Sequence, residues 1–417
     1  MRNKFILNGL GAAAFTLCTF VGNAQVKILF DATKAESAGN ADWVLDADLR
    51  NIDWYPTATT GTGSFYTSSN AQRIPTPAQS GITSSTSETY WDGALSAWGV
   101  DCAKKGYTVE SLPYNGQITY GNTANAQDLS NYKVFVVDEP NLPFTAAEKT
   151  AILQYVQAGG SLFMISDHNV SDRNGDGWDS PHIWNDLLSN NTVQTYPFGI
   201  FYDTVDFSQT TTNISAASSD SIIHGPMGTV TKVQYSGGTT MTLNPTQNSS
   251  VKGVVFKTGT TPGNTNVMVA YARFGQGKVG AMGDSSPFDD GTGNPNCTLY
   301  DGYFADAAGN HQLLIMNMTI WLATTDAASH VGVDNIDEAN NVLRVYPNPS
   351  TGIINLSTTA DMEGASINVY NFAGQLVSSV QNDLKAGDVQ SFKLPAGSYF
   401  VRVVSDKGLQ TTRFTVY

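Results

Sequence analysis

Positive charge is scarce in this chain of 417 residues: 22 Lys and Arg stand against 36 Asp and Glu, for a formal net charge of −14. Nucleic-acid binding draws much of its affinity from Lys and Arg meeting phosphates, so that partner class is excluded as a main function. A polybasic patch for anionic membranes is excluded on the same ground. Cysteine is scarcer still, limited to Cys18, Cys102 and Cys297. None stands in a strand–turn–helix elbow, which argues against a cysteine nucleophile, and pairing of Cys102 with Cys297 is a matter for geometry. Ser285-Ser286 lacks the surrounding G-x-S-x-G that a serine-hydrolase elbow requires. Apart from the start of the chain, no apolar run is long enough to span a bilayer. Charged residues are only 14% of the total, yet 41% are hydrophobic and 11% aromatic, so the chain can build a core and is not disordered throughout.

Residues 1–24 read as a secretory signal. Arg2 and Lys4 give the positive start, Phe5 to Val21 is mostly apolar, and Gly22 and Ala24 place small residues at −3 and −1, ahead of cleavage before Gln25. A transmembrane anchor is the alternative, but Asn8, Gly9 and Gly11 break a run that is already short. Leu17 directly before Cys18 lacks the small residue expected before a lipidated cysteine. No transmembrane segment is therefore expected in the mature chain.

Residues 25–325 form the expected main domain, 326–342 a small and acidic linker, and 343–417 a separate C-terminal domain. The front of the main domain alternates strand and helix. An apolar run from Val26 to Phe30 ends at Asp31, and Ser87–Lys104 has helical character. Strands at Tyr107–Leu112 and Lys133–Val137 follow, the second ending in Asp138-Glu139-Pro140-Asn141. Thr145-Ala-Ala-Glu148 is a capping box that opens a helix to Ala158. Gly159-Gly160 ends that helix, and Ser161–Ile165 returns as a buried strand stopping at Ser166-Asp167-His168. This alternation predicts an α/β domain with a parallel sheet. From about 196 to 283 the pattern is β-rich and includes a hairpin of Val267–Arg273 and Lys278–Met282, which leads to Asp284 and Asp289-Asp290. A last apolar helix covers His311–Ala323. The C-terminal domain alternates as short strands with tight turns, predicting an antiparallel β-sandwich.

Two resemblances follow from these residues. Tyr346-Pro347-Asn348-Pro349 with Gly352, the Asn371–Gly374 turn, Gly397-Ser398-Tyr399 with Val401 and Arg402, and the closing Lys407-Gly408 hairpin resemble the type IX secretion C-terminal sorting domain of Bacteroidota. That resemblance implies a partner, the type IX machinery, which would engage residues 343–417. It also implies export across the outer membrane, then removal of this domain with release or surface attachment. A plain carbohydrate-binding sandwich is the alternative. The Lys133–Asn141 strand end, the helix into Ala158-Gly159-Gly160-Ser161 and the Gly275–Asp284 strand resemble the class I glutamine-amidotransferase-like, flavodoxin-type superfamily, in its extracellular and trehalose-utilisation-like branches. Where that family carries its nucleophilic cysteine this sequence offers Asp167-His168, so the family's Cys-His-Glu chemistry does not transfer.

Acidic residues recur at the expected strand ends, and parallel strands bring such ends to one rim. Asp167 and His168 are the candidate acid/base pair, with Asp138 and Asp284 beside them. Asp31, Asn40, Asp42, Glu139 and Asp289 are candidate substrate-binding residues, and Trp43 a candidate face for stacking on a sugar. The alternatives are helix caps for the acids and a core position for Trp43. Asp172, Asn174 and Asp176 place oxygens at alternating positions with Gly177 at the sixth, as in a calcium loop, and Asp179 or a remote acid would complete it. Calcium or another divalent cation is the cofactor such a loop would hold, although Ile183 stands where an EF-hand has its bidentate Glu. An Asx-rich turn without metal is the competing reading. His182 flanks this loop, while His224 and His311 are the structural histidines. These residues point to an exported hydrolase with an acidic site, acting on a glycan or another environmental polymer. A non-catalytic glycan-binding surface protein is the alternative. A perturbed carboxylate close to His168 favours catalysis, and an aromatic platform around Trp43 favours binding.

Overall fold

The computed structural model describes residues 25–38, 41–46, 71–291, 301–304, 307–324, 343–371, 375–405 and 408–417. The signal segment, Asn40, Cys297 and the 326–342 linker lie outside the described residues. The chain divides into two compact units, one up to Thr324 and one from Thr325.

The first unit is α/β and is built on a sheet of nine described strands. In chain order these are β1 (Lys27–Asp31), β2 (Thr108–Leu112), β3 (Val134–Asp138), β4 (Ser161–Ile165), β5 (Ile200–Tyr202), β6 (Met241–Leu243), β7 (Lys252–Phe256), β8 (Val267–Phe274) and β9 (Gly277–Met282). Their order in the sheet is β2-β1-β3-β4-β9-β8-β6-β5, with β7 also paired to β8. The first five are parallel and the rest antiparallel. Four helices cover it: α1 (Ser96–Lys104), α2 (Ala146–Gln157), α3 (Ser180–Ser189) and α4 (His311–Ala323).

Side chains alternate across a strand, and here both faces are buried. Ile28, Phe30, Val134, Val136, Phe163 and Ile165 share one apolar cluster with α1 and α4. Leu29, Phe135, Val137, Leu162 and Met164 share the other with α2 and α3. A sheet covered on both faces is what continuous apolar runs, rather than alternating ones, specify.

Local chemistry sets the boundaries. Thr145 Oγ1 accepts from the Glu148 amide and the Glu148 carboxylate accepts from the Thr145 amide, so the capping box is complete. The expected hairpin is β8–β9, closed at Phe274 and Gly277. Its turn needs glycine: Gly275 has φ +58°, and a Cβ there would lie 2.2 Å from the Gln157 carbonyl. Helical structure in the Ser87–Lys104 stretch begins only at Ser96. The residues before it are tied by side chains instead, with Ser96 Oγ accepting from the Trp91 amide and donating to the Glu88 carbonyl. Helix α3 was not expected. Its start is Asp179, whose carboxylate accepts from the His182 amide, with Pro181 in the first turn.

The second unit is antiparallel β. Leu343–Tyr346, Ile353–Thr358 and Val389–Lys393 form one sheet, and Leu376–Gln381, Ser366–Asn371, Gly397–Ser405 and Gly408–Val416 form another. Its core is apolar, with Ile354, Leu356, Ile367, Val369, Val401, Val403 and Phe414 buried.

Candidate functional site

Strand order reverses between β1 and β3, the place where open α/β sheets form a crevice at the carboxyl ends of their strands. Four adjacent strands end there in acids. Asp31 closes β1, Asp138-Glu139 closes β3, Asp167-His168 follows β4 and Asp284 follows β9. All five carboxylates are at most 2% exposed.

Glu139 is the hub. It has φ +46°, a left-handed conformation that costs a non-glycine residue energy and recurs at functional sites. Its Oε2 accepts from Trp43 Nε1 at 2.9 Å and from Ser285 Oγ at 2.7 Å, and its Oε1 from Arg173 Nε at 3.0 Å. Arg173 also donates from Nη2 to Asp167 Oδ2 at 2.6 Å, bridging the ends of β3 and β4. Buried charges persist when paired and hydrogen-bonded, and the two carboxylates keep the Arg173 guanidinium charged. Asn141, itself fully buried, donates to the carbonyls of Ala35, Ser37 and Glu139 and fixes the strained turn.

Burial shifts most of the remaining acids towards their protonated, neutral form. Burial first, then the Glu139 charge, pushes Asp167 well above the usual carboxylate range, although Arg173 opposes this. Burial pushes Asp138 the same way, with Glu139, Asp284 and Asp289 adding to it. Neither Asp138 oxygen has a hydrogen-bond partner among the described residues. Burial raises Asp284 to about 7, although the amides of Ser286 and Ser236 donate to it. Asp289, also fully buried, accepts from the Gly291 amide at 2.9 Å. Two further carboxyls form their own pair: Asp31 and Glu36 are both raised by burial, and they share a side-chain hydrogen bond. Burial alone raises Asp42 to about 7.

His168 and Arg173 are the members of this rim that reach solvent, with 20% and 23% of their side chains exposed. His168 Nδ1 lies 2.6 Å from the Asn169 carbonyl, which sets it as the donor there. Nε2 then faces Asp167 Oδ2 at 3.6 Å, while Asp206 stands 3.7 Å from Nδ1.

The structure gives three groups of candidate residues other surroundings than the sequence suggested. Trp43 is fully buried and its indole N–H serves Glu139, so it offers no stacking face. Glu139 and Asp289 are likewise fully buried, and Glu139 is saturated by protein donors; they shape the field of the rim rather than its surface. The calcium-like loop spends its oxygens on its own backbone. Asp172 accepts from the amides of Gly175, Asp176 and Gly177, Asn174 Oδ1 from that of Asp176, and Asp176 Oδ1 from that of Trp178. Asp179 caps α3, takes the Val170 amide and lies 2.5 Å from His182 Nδ1. This is the Asx-turn arrangement, and among the described residues no group of three or more His, Cys, Asp and Glu is placed to hold a metal ion. Buried Cys102 is a free thiol. His311 is buried, with Nδ1 2.6 Å from the Gly302 carbonyl and Nε2 accepting from the Gln234 amide; His224 is exposed.

The reading of the sequence missed Arg173, Ser285, Asn141 and Glu36. Nothing local marked Arg173, because the second position of such a loop is not a ligand position and its partners Glu139 and Asp167 are set by the fold.

No curated protein sequence matches the chain. Among solved structures, it is similar to the N-terminal domain of mmIFT52, at 16% identity and a TM-score of 0.41 over 72% of this chain and 98% of that one. A ThuA-like protein from Parabacteroides merdae is similar at 11% identity and a TM-score of 0.32, over 75% and 94%. A cytoplasmic protein from Salmonella typhimurium follows at 13% identity and a TM-score of 0.34, over 54% and 85%. At these scores the likenesses say nothing of activity. No described helix is long and apolar enough to cross a membrane. Residues 344–417 match the family described as a secretion system C-terminal sorting domain, so this chain carries the address of an exported protein.

Proposed function

We propose that this is an exported hydrolase whose acidic rim cleaves a neutral glycan, delivered outside the cell by the type IX machinery acting on the C-terminal unit. The observation that carries the reading is Asp167: a buried carboxyl raised well above its usual range, facing Nε2 of the solvent-reaching His168. A carboxyl whose hold on its proton is strengthened by burial, next to an imidazole, is a pairing suited to proton transfer to a leaving oxygen. Nε2 of His168 exchanges the proton with substrate while Nδ1–H is held by the Asn169 carbonyl, and the neighbouring Asp167 carboxyl is a second proton-carrying group. Arg173 holds Asp167 in place, and ionisation of Asp284 as pH rises towards about 7 makes the local field negative. That field favours a positive charge developing on a sugar ring. The net charge of −14 supports a neutral rather than an anionic polymer.

A second reading rests on burial. The acids are at most 2% exposed and only His168 and Arg173 reach outward, which suits a binding rim without turnover. One experiment separates the two. The full chain is incubated with soluble neutral glucan, xylan and mannan, and new reducing ends are counted across pH. Hydrolysis should appear, and His168→Ala and Asp167→Asn should each lower it by roughly 10²- to 10⁴-fold with the fold intact by circular dichroism. Retention of wild type on these polymers with no reducing ends from any of them would leave the binding reading in place.

A further inference from the structure

Among the described residues of the first unit the indole groups are almost all spoken for. Trp43, Trp91, Trp98 and Trp184 are at most 2% exposed, and their N–H groups donate to Glu139, the Pro77 carbonyl, Thr319 and the Ile165 carbonyl. Trp321 packs edge-on against Tyr271 and lies under Arg273 and Lys278. Trp178 differs from all of these. It is 37% exposed, and among the described residues its ring makes no aromatic contact and its N–H has no partner.

The loop that carries it is tied by hydrogen bonds to itself and to the rim residues Asn141, Glu139 and Asp167. Its backbone is held by Asp172, Asn174 and Asp176, as described above, and Asn174 Nδ2 donates to the Asn141 carbonyl at 2.9 Å. Arg173 turns inward to Glu139 and Asp167. In the same loop Val170 is 72% exposed with φ +62°, a conformation that a β-branched residue adopts only under constraint. The Asp179 carboxylate supplies that constraint by taking the Val170 amide at 2.7 Å. The loop thus fastens its polar groups inward and leaves two apolar side chains outside.

We infer that Trp178 is the stacking face for a sugar ring of a neutral glycan, positioned by the Asx loop beside the His168 rim. This rests on the glycan-directed reading but not on turnover. An indole presents a flat apolar face and one N–H donor, which matches the C–H face of a pyranose and a neighbouring hydroxyl oxygen. A protein partner is the less favoured occupant, because a specific interface needs far more apolar area than Val170 and Trp178 supply.

The test uses the full chain and soluble neutral glucan, xylan and mannan, read by tryptophan fluorescence and by affinity electrophoresis. A bound polymer should blue-shift the emission of wild type and shield it from acrylamide. Trp178→Ala should abolish that shift and weaken retention about tenfold, Trp178→Phe should keep most of the retention, and both should melt as wild type does. Retention of Trp178→Ala equal to that of wild type overturns the inference, as does failure of wild type to bind any of the three. Binding through Trp178 without reducing ends supports the inference while removing the hydrolase reading.

Discussion

The two units of this chain bury very different things. Among the described residues of the C-terminal unit the only buried polar side chains are Ser350 and Thr358, and everything else inside is apolar. The α/β unit buries Asp31, Glu36, Asp138, Glu139, Asp167, Asp284 and Asp289 at the ends of neighbouring strands. A sorting domain need only fold and display a surface, and an aliphatic core is sufficient for that. Gathering carboxyls under one rim opposes folding, so the α/β unit retains a feature that stability alone would remove.

The largest contrast should come from the hub. Glu139→Ala leaves Arg173, Trp43 and Ser285 without their acceptor, and removing one partner of a buried ion pair costs about 3–5 kcal/mol. Ser350→Ala, at a site 1% exposed in the other unit, should cost about 1 kcal/mol. Urea unfolding of the full chain, followed separately by the tryptophans of the first unit and by proteolysis of the second, measures both. Equal losses would erase the contrast between the units.

The units should also separate by pH. A carboxyl whose folded pKa is raised makes the native state hold more protons than the unfolded chain, so stability falls as pH rises. For Asp42 and Asp284 the window runs from the ordinary 3.8 to about 7, and the loss is complete above it. Each pH unit of the difference corresponds to about 1.4 kcal/mol. The α/β unit should therefore melt at a lower temperature at pH 8 than at pH 5. Asp42→Asn should recover part of the difference, because Asp42 is raised by burial alone. A melting temperature of the first unit that rises over this range would contradict the assignment.

The smallest effect belongs to the Asx loop. Asp172→Ala removes the acceptor of three amides and should cost about 1 kcal/mol. Calcium or a chelator should move the melting temperature of wild type by less than this substitution does. A larger rise with calcium would mean that the carboxylates leave their amides for the ion.

How far the sequence could be read depended on whether a signal was local. The capping box at Thr145–Glu148, the β8–β9 hairpin and the strand ends at Asp31, Asp138 and Asp167 are each written within a few residues. Helix α3 was equally local, but Asp179 had two plausible uses and its spacing from Asp172 drew the metal reading ahead of the N-cap. The site's wiring was not local. Arg173 meets Glu139 across 34 positions, and Ser285 meets it across 146. No spacing rule reaches that far. The strain at Glu139 is a backbone fact that its side-chain type does not announce.

Strand β9 lies in the middle of the sheet, between β4 and β8, yet it is the last of the nine to be synthesised. Until it docks, the parallel and antiparallel halves are separate sheets with open edges, and Asp284 has not joined the rim. The unit therefore has a keystone. A chain cut before Gly277 would hold neither a continuous sheet nor Asp284 among its buried acids.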